Sequence, residues 1–267
     1  MRSNPKRLFD RRILIKSLGS ILPILVLGWI LFHNNGNSKK TIQNKIQKPC
    51  IAIVIDDFGY GNDHVIEGFL SLNVPLSYAV IPGHNYSSQF AREAHSKGFE
   101  ILVHMPMESH ETPEREEPLM IKSSMNSFEI ENEILNALHE LPEAVGMNNH
   151  QGSKVTELEW VMEIIGRTLK RENKYFLDSR TSPNTKAEDS MKKLRVRTGH
   201  RNIFLDNELE EVYVEKQLDE VAELAKSDGF AIGIGHAREL TLLVLEKKIP
   251  ELVKRGYQFC LVSDILN

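Results

Sequence analysis

From residue 51 onward the chain repeats one pattern, a short apolar run followed by a stretch with helical spacing. The apolar runs cover 51–56, 76–81, 99–105, 144–147, 174–177, a short piece around Val196, 230–234 and 257–262. Runs this short, bounded by turn residues, read as strands buried on both faces. Helical spacing lies around 65–70 and at 86–97, 127–141, 156–169, 184–194, 209–227 and 240–255. Gly98 suits a helix end. Thr156 and Glu159 have the spacing of a capping box. Pro250 is expected to interrupt or divide the last helix. Strands that alternate with helices require crossovers and hence a parallel sheet. Seven or eight such units in about 219 residues suit a closed or nearly closed (β/α) barrel better than a wide open sheet.

The first 48 residues are built differently. Arg2, Lys6, Arg7, Arg11 and Arg12 make residues 1–12 basic. Residues 13–32 are apolar apart from Lys16 and two serines, the length of a bilayer-spanning helix. The flanking cations place the N-terminus in the cytoplasm. No small-x-small cleavage site follows Phe32, so this segment reads as an uncleaved, single-pass signal anchor in a bacterial inner or cytoplasmic membrane. Residues 33–48 are a polar linker, and 49–267 form the domain on the periplasmic or extracellular side. Beyond residue 48 the chain holds 23 basic and 36 acidic residues, a net charge of −13, which argues against a nucleic-acid partner. Cys50 and Cys260 lie in expected strands at the two ends of the domain. Export permits a disulfide between them, but two buried thiols are the favoured reading, because sequence alone does not show their geometry.

In a (β/α) barrel the chemistry sits at the C-terminal ends of the strands. At those ends stand Asp56 and Asp57, His104, the Asn148-Asn149-His150 run, Asp178, Arg197 with His200, His236, and Ser263 with Asp264. Two adjacent acids at the edge of a dry core repel unless a cation accompanies them. A carboxylate and two imidazoles with open positions are the ligand set of a catalytic divalent metal such as zinc. One of the two carboxylates is expected on the metal with rim imidazoles from His104, His150 and His236, the other being free to act as a base. Asn148 and Asn149 are candidates for hydrogen bonds to substrate, or a plain turn. Asp178 and Arg197 are candidates for setting the charge of His236 or binding substrate, or a rim salt bridge. Of the other histidines, His84 and His200 lie in loops and remain open.

Six ordered stretches, IDDFGYG, HMPME, NNHQGS, DSRTS, RNIFLDN and IGHA, resemble the divergent polysaccharide deacetylase family, a branch of the NodB-like carbohydrate esterases. The resemblance spans about 51–266 and implies a distorted (β/α) barrel, the NodB-like deacetylase fold. It implies Asp56 as base, Asp57 and His104 as ligands of a divalent metal, and His236 as general acid. The implied activity is removal of acetyl groups from a cell-envelope polysaccharide. The wider superfamily has a second metal histidine four residues after the first. This chain has Glu108 there, with His150 the expected source of the missing imidazole and so the third metal ligand, and its third motif is unlike the superfamily's, so a catalytically degenerate protein that binds glycan or a partner is the alternative. Glu108 is open as a ligand, an orienter of His104 or a loop acid, with the orienter favoured.

Overall fold

The computed structural model describes residues 48–112 and 117–266. The expected basic segment, membrane span and all but the last linker residue lie outside them. Among the described residues no helix is long and apolar enough to cross a membrane.

Nine strands are present among the described residues, and every pairing between them is parallel. They are β1 (Cys50–Phe58), β2 (Ser77–Val80), β3 (Glu100–Met107), β4 (Ala144–Gln151), β5 (Tyr175–Asp178), β6 (Thr198–His200), β7 (Ile203–Phe204), β8 (Phe230–His236) and β9 (Gln258–Phe259). Their order is β6-β5-β4-β3-β2-β1-β8-β7, with β9 also on β1. The sheet curls into a half-barrel whose ends, β6 and β7, do not pair. The expectation of a closed or nearly closed barrel is corrected accordingly.

Strand side chains alternate between two faces. On the convex face Ile51, Ile53, Ile55, Tyr78, Val80, Ile101 and Val103 join the outer helices in the larger core. On the concave face Ala52, Val54, Ala79, Leu102, Leu177, Ile232 and Ile234 form a second core that fills the barrel. Both faces are dry, which is why the strands read as continuous apolar runs. The same alternation, carried two residues further, aims the strand tips inward.

Four expectations shift. β4 continues through Gln151, so Asn148, Asn149 and His150 lie in the strand rather than after it. β6 begins at Thr198, so Arg197 precedes it. The last helix runs unbroken through Pro250, from Glu239 to Lys254. Its buried face (Leu242, Leu245, Ile249 and Leu252) outweighs the ~3 kcal/mol cost of an internal proline. Thr156 caps no helix: its hydroxyl donates to the Gly152 carbonyl at 2.8 Å, and the helix starts at Glu159.

The far end of the barrel is sealed. β9 is only two residues long and pairs with Cys50 and Ile51, at the start of β1. The chain then turns into a short helix, Val262–Ile265, that plugs the floor. Ser263 and Asp264 therefore lie at the floor and not on the rim. Buried Glu100 organises this end, accepting from Ser77 Oγ at 2.8 Å, Tyr175 Oη at 2.9 Å and the Ser263 N–H at 3.3 Å. Cys50 and Cys260 are joined by a disulfide that ties the first strand to the end of the last, across 210 residues. Replacing Cys50 by Ser should lower stability by about 2–5 kcal/mol. A thermal melt of the variant beside the wild type, with and without reductant, measures this, and reductant should not shift the variant.

Candidate metal centre

Asp56 follows Val54, His104 follows Leu102, His236 follows Ile234 and Asn148 follows Gly146, each two residues on along its strand, and His150 follows Asn148 by two more. All therefore turn into the mouth of the barrel. Register does the rest: Asp56 pairs with His236, His104 with Asn148, and Pro106 with His150.

Asp57 should point outward by alternation, and a bulge corrects it. The β1–β2 register shifts between Ile55 and Phe58, and Asp57 takes φ 71°. Bulges re-aim side chains in this way. Left-handed backbone at a non-glycine residue costs roughly 1–3 kcal/mol. Gln151 (φ 54°) and Arg180 (φ 50°) are also left-handed, at the tips of β4 and β5, so backbone strain gathers on one rim.

Asp57 Oδ1 lies 3.2 Å from His104 Nε2 and 3.1 Å from His150 Nδ1, and the two ring nitrogens are 3.2 Å apart. Ligands about 2.0–2.1 Å from one tetrahedral ion stand about 3.3 Å from each other. The triangle matches that spacing. Asn148 identifies the protons. A carboxylate only accepts, so the Asn148 amide N–H₂ faces Asp56 Oδ1, at 2.9 Å. Its Oδ1 must then accept from His104 Nδ1–H, at 2.8 Å. In the neutral imidazole this leaves His104 Nε2 as the lone pair, aimed at Asp57. Asp57 Oδ1 is itself buried with no hydrogen-bond partner. Lone pairs converging in a dry site lack a cation, and a divalent ion fits the donor set.

Burial pushes the Asp56 carboxyl up, against the pull of His104 and His236. Burial pushes Asp57 the same way, but the adjacent His104 and His150 imidazoles outweigh it and hold this carboxyl far below the usual range. Burial lowers His104, yet Asp56 and Asp57 carry it to about 9. A carboxylate pair this close to the imidazoles favours positive charge between them, from protons or from a metal.

His236 forms the other wall. Its Nδ1–H donates to Asp206 Oδ1 at 2.8 Å, which directs Nε2 away from this acid. Asp206 is buried and also accepts from the His236 backbone N–H at 2.8 Å and Thr241 Oγ1 at 2.7 Å. Burial alone would lower the His236 pKa, but the Asp206 carboxylate raises it above the ordinary value. Asp206 replaces Asp178 and Arg197 as the group that sets this charge. It lies two residues beyond a two-residue strand, β7, too short to show any periodicity, and it lay in sight inside RNIFLDN.

The sequence of the divergent polysaccharide deacetylase family matches residues 53–266. The chain belongs to that family. The uncharacterised protein YibQ of Escherichia coli (strain K12) is 37% identical over 205 residues, 76% of this chain and 63% of that protein. The chain thus spans less than two thirds of this relative's length. An uncharacterised protein of Agrobacterium tumefaciens C58 has a similar fold, with TM-score 0.76 at 20% identity, over 83% of this chain and 91% of that one. The catalytic domain of a peptidoglycan N-acetylglucosamine deacetylase from Eubacterium rectale ATCC 33656 is more distant. It gives TM-score 0.51 at 13% identity over 82% and 90% of the two chains.

Within this deacetylase-family chain the remaining candidates take other places. Glu108 is not an orienter of His104. Its carboxylate meets Lys154 Nζ at 2.6 Å and the Ser123 N–H at 2.7 Å, which hold its pKa down at about 2. It fastens the long loop after β3 to the exit of β4, and Asn148 is the orienter instead. Asn149 accepts from the Ser179 N–H at 3.0 Å and donates to the Gln151 carbonyl at 2.8 Å, locking the rim rather than facing substrate. Asp178 is buried, accepts from the Arg180 N–H at 2.8 Å and Thr185 Oγ1 at 3.0 Å, and does not touch His236. Arg197 lies at the floor, 3.4 Å from the Ser263 carbonyl and over the Tyr175 ring, because β6 starts after it. His84 and His200 bind Glu117 and Glu188, each at 2.6 Å, and take no part in the triangle.

Two tests follow from the triangle. Asp57→Ala, His104→Ala and His150→Ala should each lose bound metal, read as metal content after gel filtration. Asn148→Ala frees the His104 tautomer and should weaken metal affinity about 10–100-fold by chelator competition, with the fold intact.

Proposed function

We propose that the protein is a metal-dependent hydrolase that removes acetyl groups from a cell-envelope polysaccharide. The observation that carries this reading is the placement of Asp56 and His236, a base and an acid on paired strand tips, beside the Asp57-His104-His150 triangle. The metal is zinc, by its match to two imidazoles and one carboxylate, and it supplies Lewis acidity toward the acetyl carbonyl.

The chain's own residues do the rest. Asp56, held by Asn148 Nδ2, accepts the proton of the attacking water. Asn148 keeps both Asp56 and His104 in place while that proton moves. His236 is kept protonated by Asp206 and donates from Nε2 to the departing amine or alkoxide. The half-barrel's apolar filling closes the site from below.

The domain is proposed to act outside the cytoplasm, tethered by residues 13–32 in a bacterial inner or cytoplasmic membrane. The Cys50–Cys260 pairing supports an oxidising compartment. The acidic domain supports a glycan rather than nucleic acid as its partner.

Acetate release from acetylated chito-oligosaccharides or peptidoglycan fragments, with added zinc, tests the reading. Asp56→Asn should lower the rate about 10²–10⁴-fold while metal content stays unchanged. No release from any such substrate, with metal bound and glycan still held, would replace the hydrolase with a glycan-binding protein. The pH profile is a second check. The raised His236 pKa keeps the donor protonated above its ordinary value, and activity falls as pH rises through that raised value. Asp206→Asn removes the opposing charge, so the alkaline limb should move to lower pH.

A further inference from the structure

Next to the proposed active site a cleft of about 610 Å³ opens, lined by Arg180, Ser182, Pro183, Thr185, Arg201 and Asn202. Its size is that of a small-ligand site. Among the described residues no acidic one lines it, on a domain whose net charge is strongly negative.

Arg201 is the unusual member. Its guanidinium is half-buried and immobilised: Nε donates to the Ser179 carbonyl at 2.8 Å and Nη2 to the Arg180 carbonyl at 3.1 Å. Its plane lies over the Phe204 ring, 3.6 Å from the centroid. It forms no ion pair among the described residues, and burial lowers its pKa to about 10 against the pull of the nearby Asp178 carboxylate. A partly desolvated cation with no carboxylate in direct contact favours an anionic partner. Arg180 adds a second guanidinium, which only reaches Glu188 at 3.8 Å. Asn202 accepts from the Ile232 N–H through Oδ1, which leaves its Nδ2 without a partner among the described residues. The hydroxyls of Ser182 and Thr185 already donate, to Glu157 and Asp178. The donors left to the cleft are therefore all N–H groups, two of them cationic. Such a set favours an oxyanion, and a planar guanidinium holds carboxylate or phosphate by two bonds.

The cleft is coupled to the active site at two points. Ser179, which holds Arg201 by its carbonyl, has its hydroxyl 3.4 Å from Asn148 Nδ2. The Phe204 ring that carries Arg201 stacks against the His236 imidazole, with centroids 6.1 Å apart and planes at 18°.

We infer that this cleft is a subsite for an oxyanion, carboxylate or phosphate, on a sugar beside the acetylated one, so that the substrate is an anionic glycan. The glycan rests on the deacetylase reading above; the anion rests on the cleft alone.

Calorimetry on the full chain tests it with four acetylated tetrasaccharides of one length. One is neutral, one carries carboxylates on alternate sugars, one is the methyl ester of that acid, and one carries phosphomonoesters at the same places. At low salt the carboxylate or the phosphate ligand should bind at least ten-fold tighter than the ester and the neutral chain. Which of the two binds tighter names the anion. Arg201→Gln should reduce that preference to less than two-fold, and Arg180→Gln, at an exposed side chain, should cut it several-fold without disturbing the Phe204 stack. Equal affinity for charged and uncharged ligands, or a preference that survives both substitutions, would overturn the subsite. Acetate release on the same ligands is scored separately. Arginine-dependent preference without release from any ligand keeps the subsite and sinks the hydrolase; release without preference does the reverse.

Discussion

Register between parallel strands is the constraint on which everything else in this protein depends. β1 is hydrogen-bonded to β2, β8 and β9, and its partner positions decide what its two carboxylates meet. A slip of one residue would exchange the concave and convex faces. It would move Ala52 and Val54 out of the barrel and turn Asp56 toward the helices. The burial of both faces resists such a slip, because each face has its own apolar cluster to keep. The site is thus held by the same packing that holds the fold.

Within that frame the mouth of the barrel concentrates like charges and lone pairs that the rest of the domain avoids. Asp56 and Asp57 are adjacent in sequence and both turned inward, one by alternation and one by the bulge and a left-handed φ. Asn148 relieves part of the conflict because an amide can donate to a carboxylate and accept from an imidazole at once. The remainder calls for a cation in the triangle. At the paired tip of β8 a carboxylate meets an imidazole again, where buried Asp206 raises the pKa of His236. The outer cleft extends the scheme, with cations that no protein carboxylate fully neutralises.

Much of this was legible in the sequence because it depends on local pattern. The alternation of strand and helix gave a parallel sheet, and the apolar runs located most strands to within a few residues. The polar residues just beyond those runs were then candidates for one rim, and Asp56, Asp57, His104, His150 and His236 do share it. Errors arose where strands were short or ended in polar residues. Val196 looked like a strand because it is apolar, whereas β6 is Thr-Gly-His and is held by its pairing with β5. That two-residue displacement carried Arg197 from the rim to the floor. Tyr257–Val262 looked like a full strand, but only two of its residues pair before the chain turns inward as a plug. β7 was missed for the same reason, and Asp206 and Arg201 beside it were missed as partners.

The sequence by itself determined the class of fold, the family and the residue types at the mouth of the barrel, because periodicity and motif order are properties of neighbours along the chain. Only the tertiary structure decided which of those residues act together. Whether Glu108 reaches His104 or Lys154, and whether Asp206 or Asp178 meets His236, turns on differences of a few ångströms between segments 30 to 90 residues apart. Those distances are set by strand register, a bulge and the point at which each short strand begins, and no local pattern encodes them.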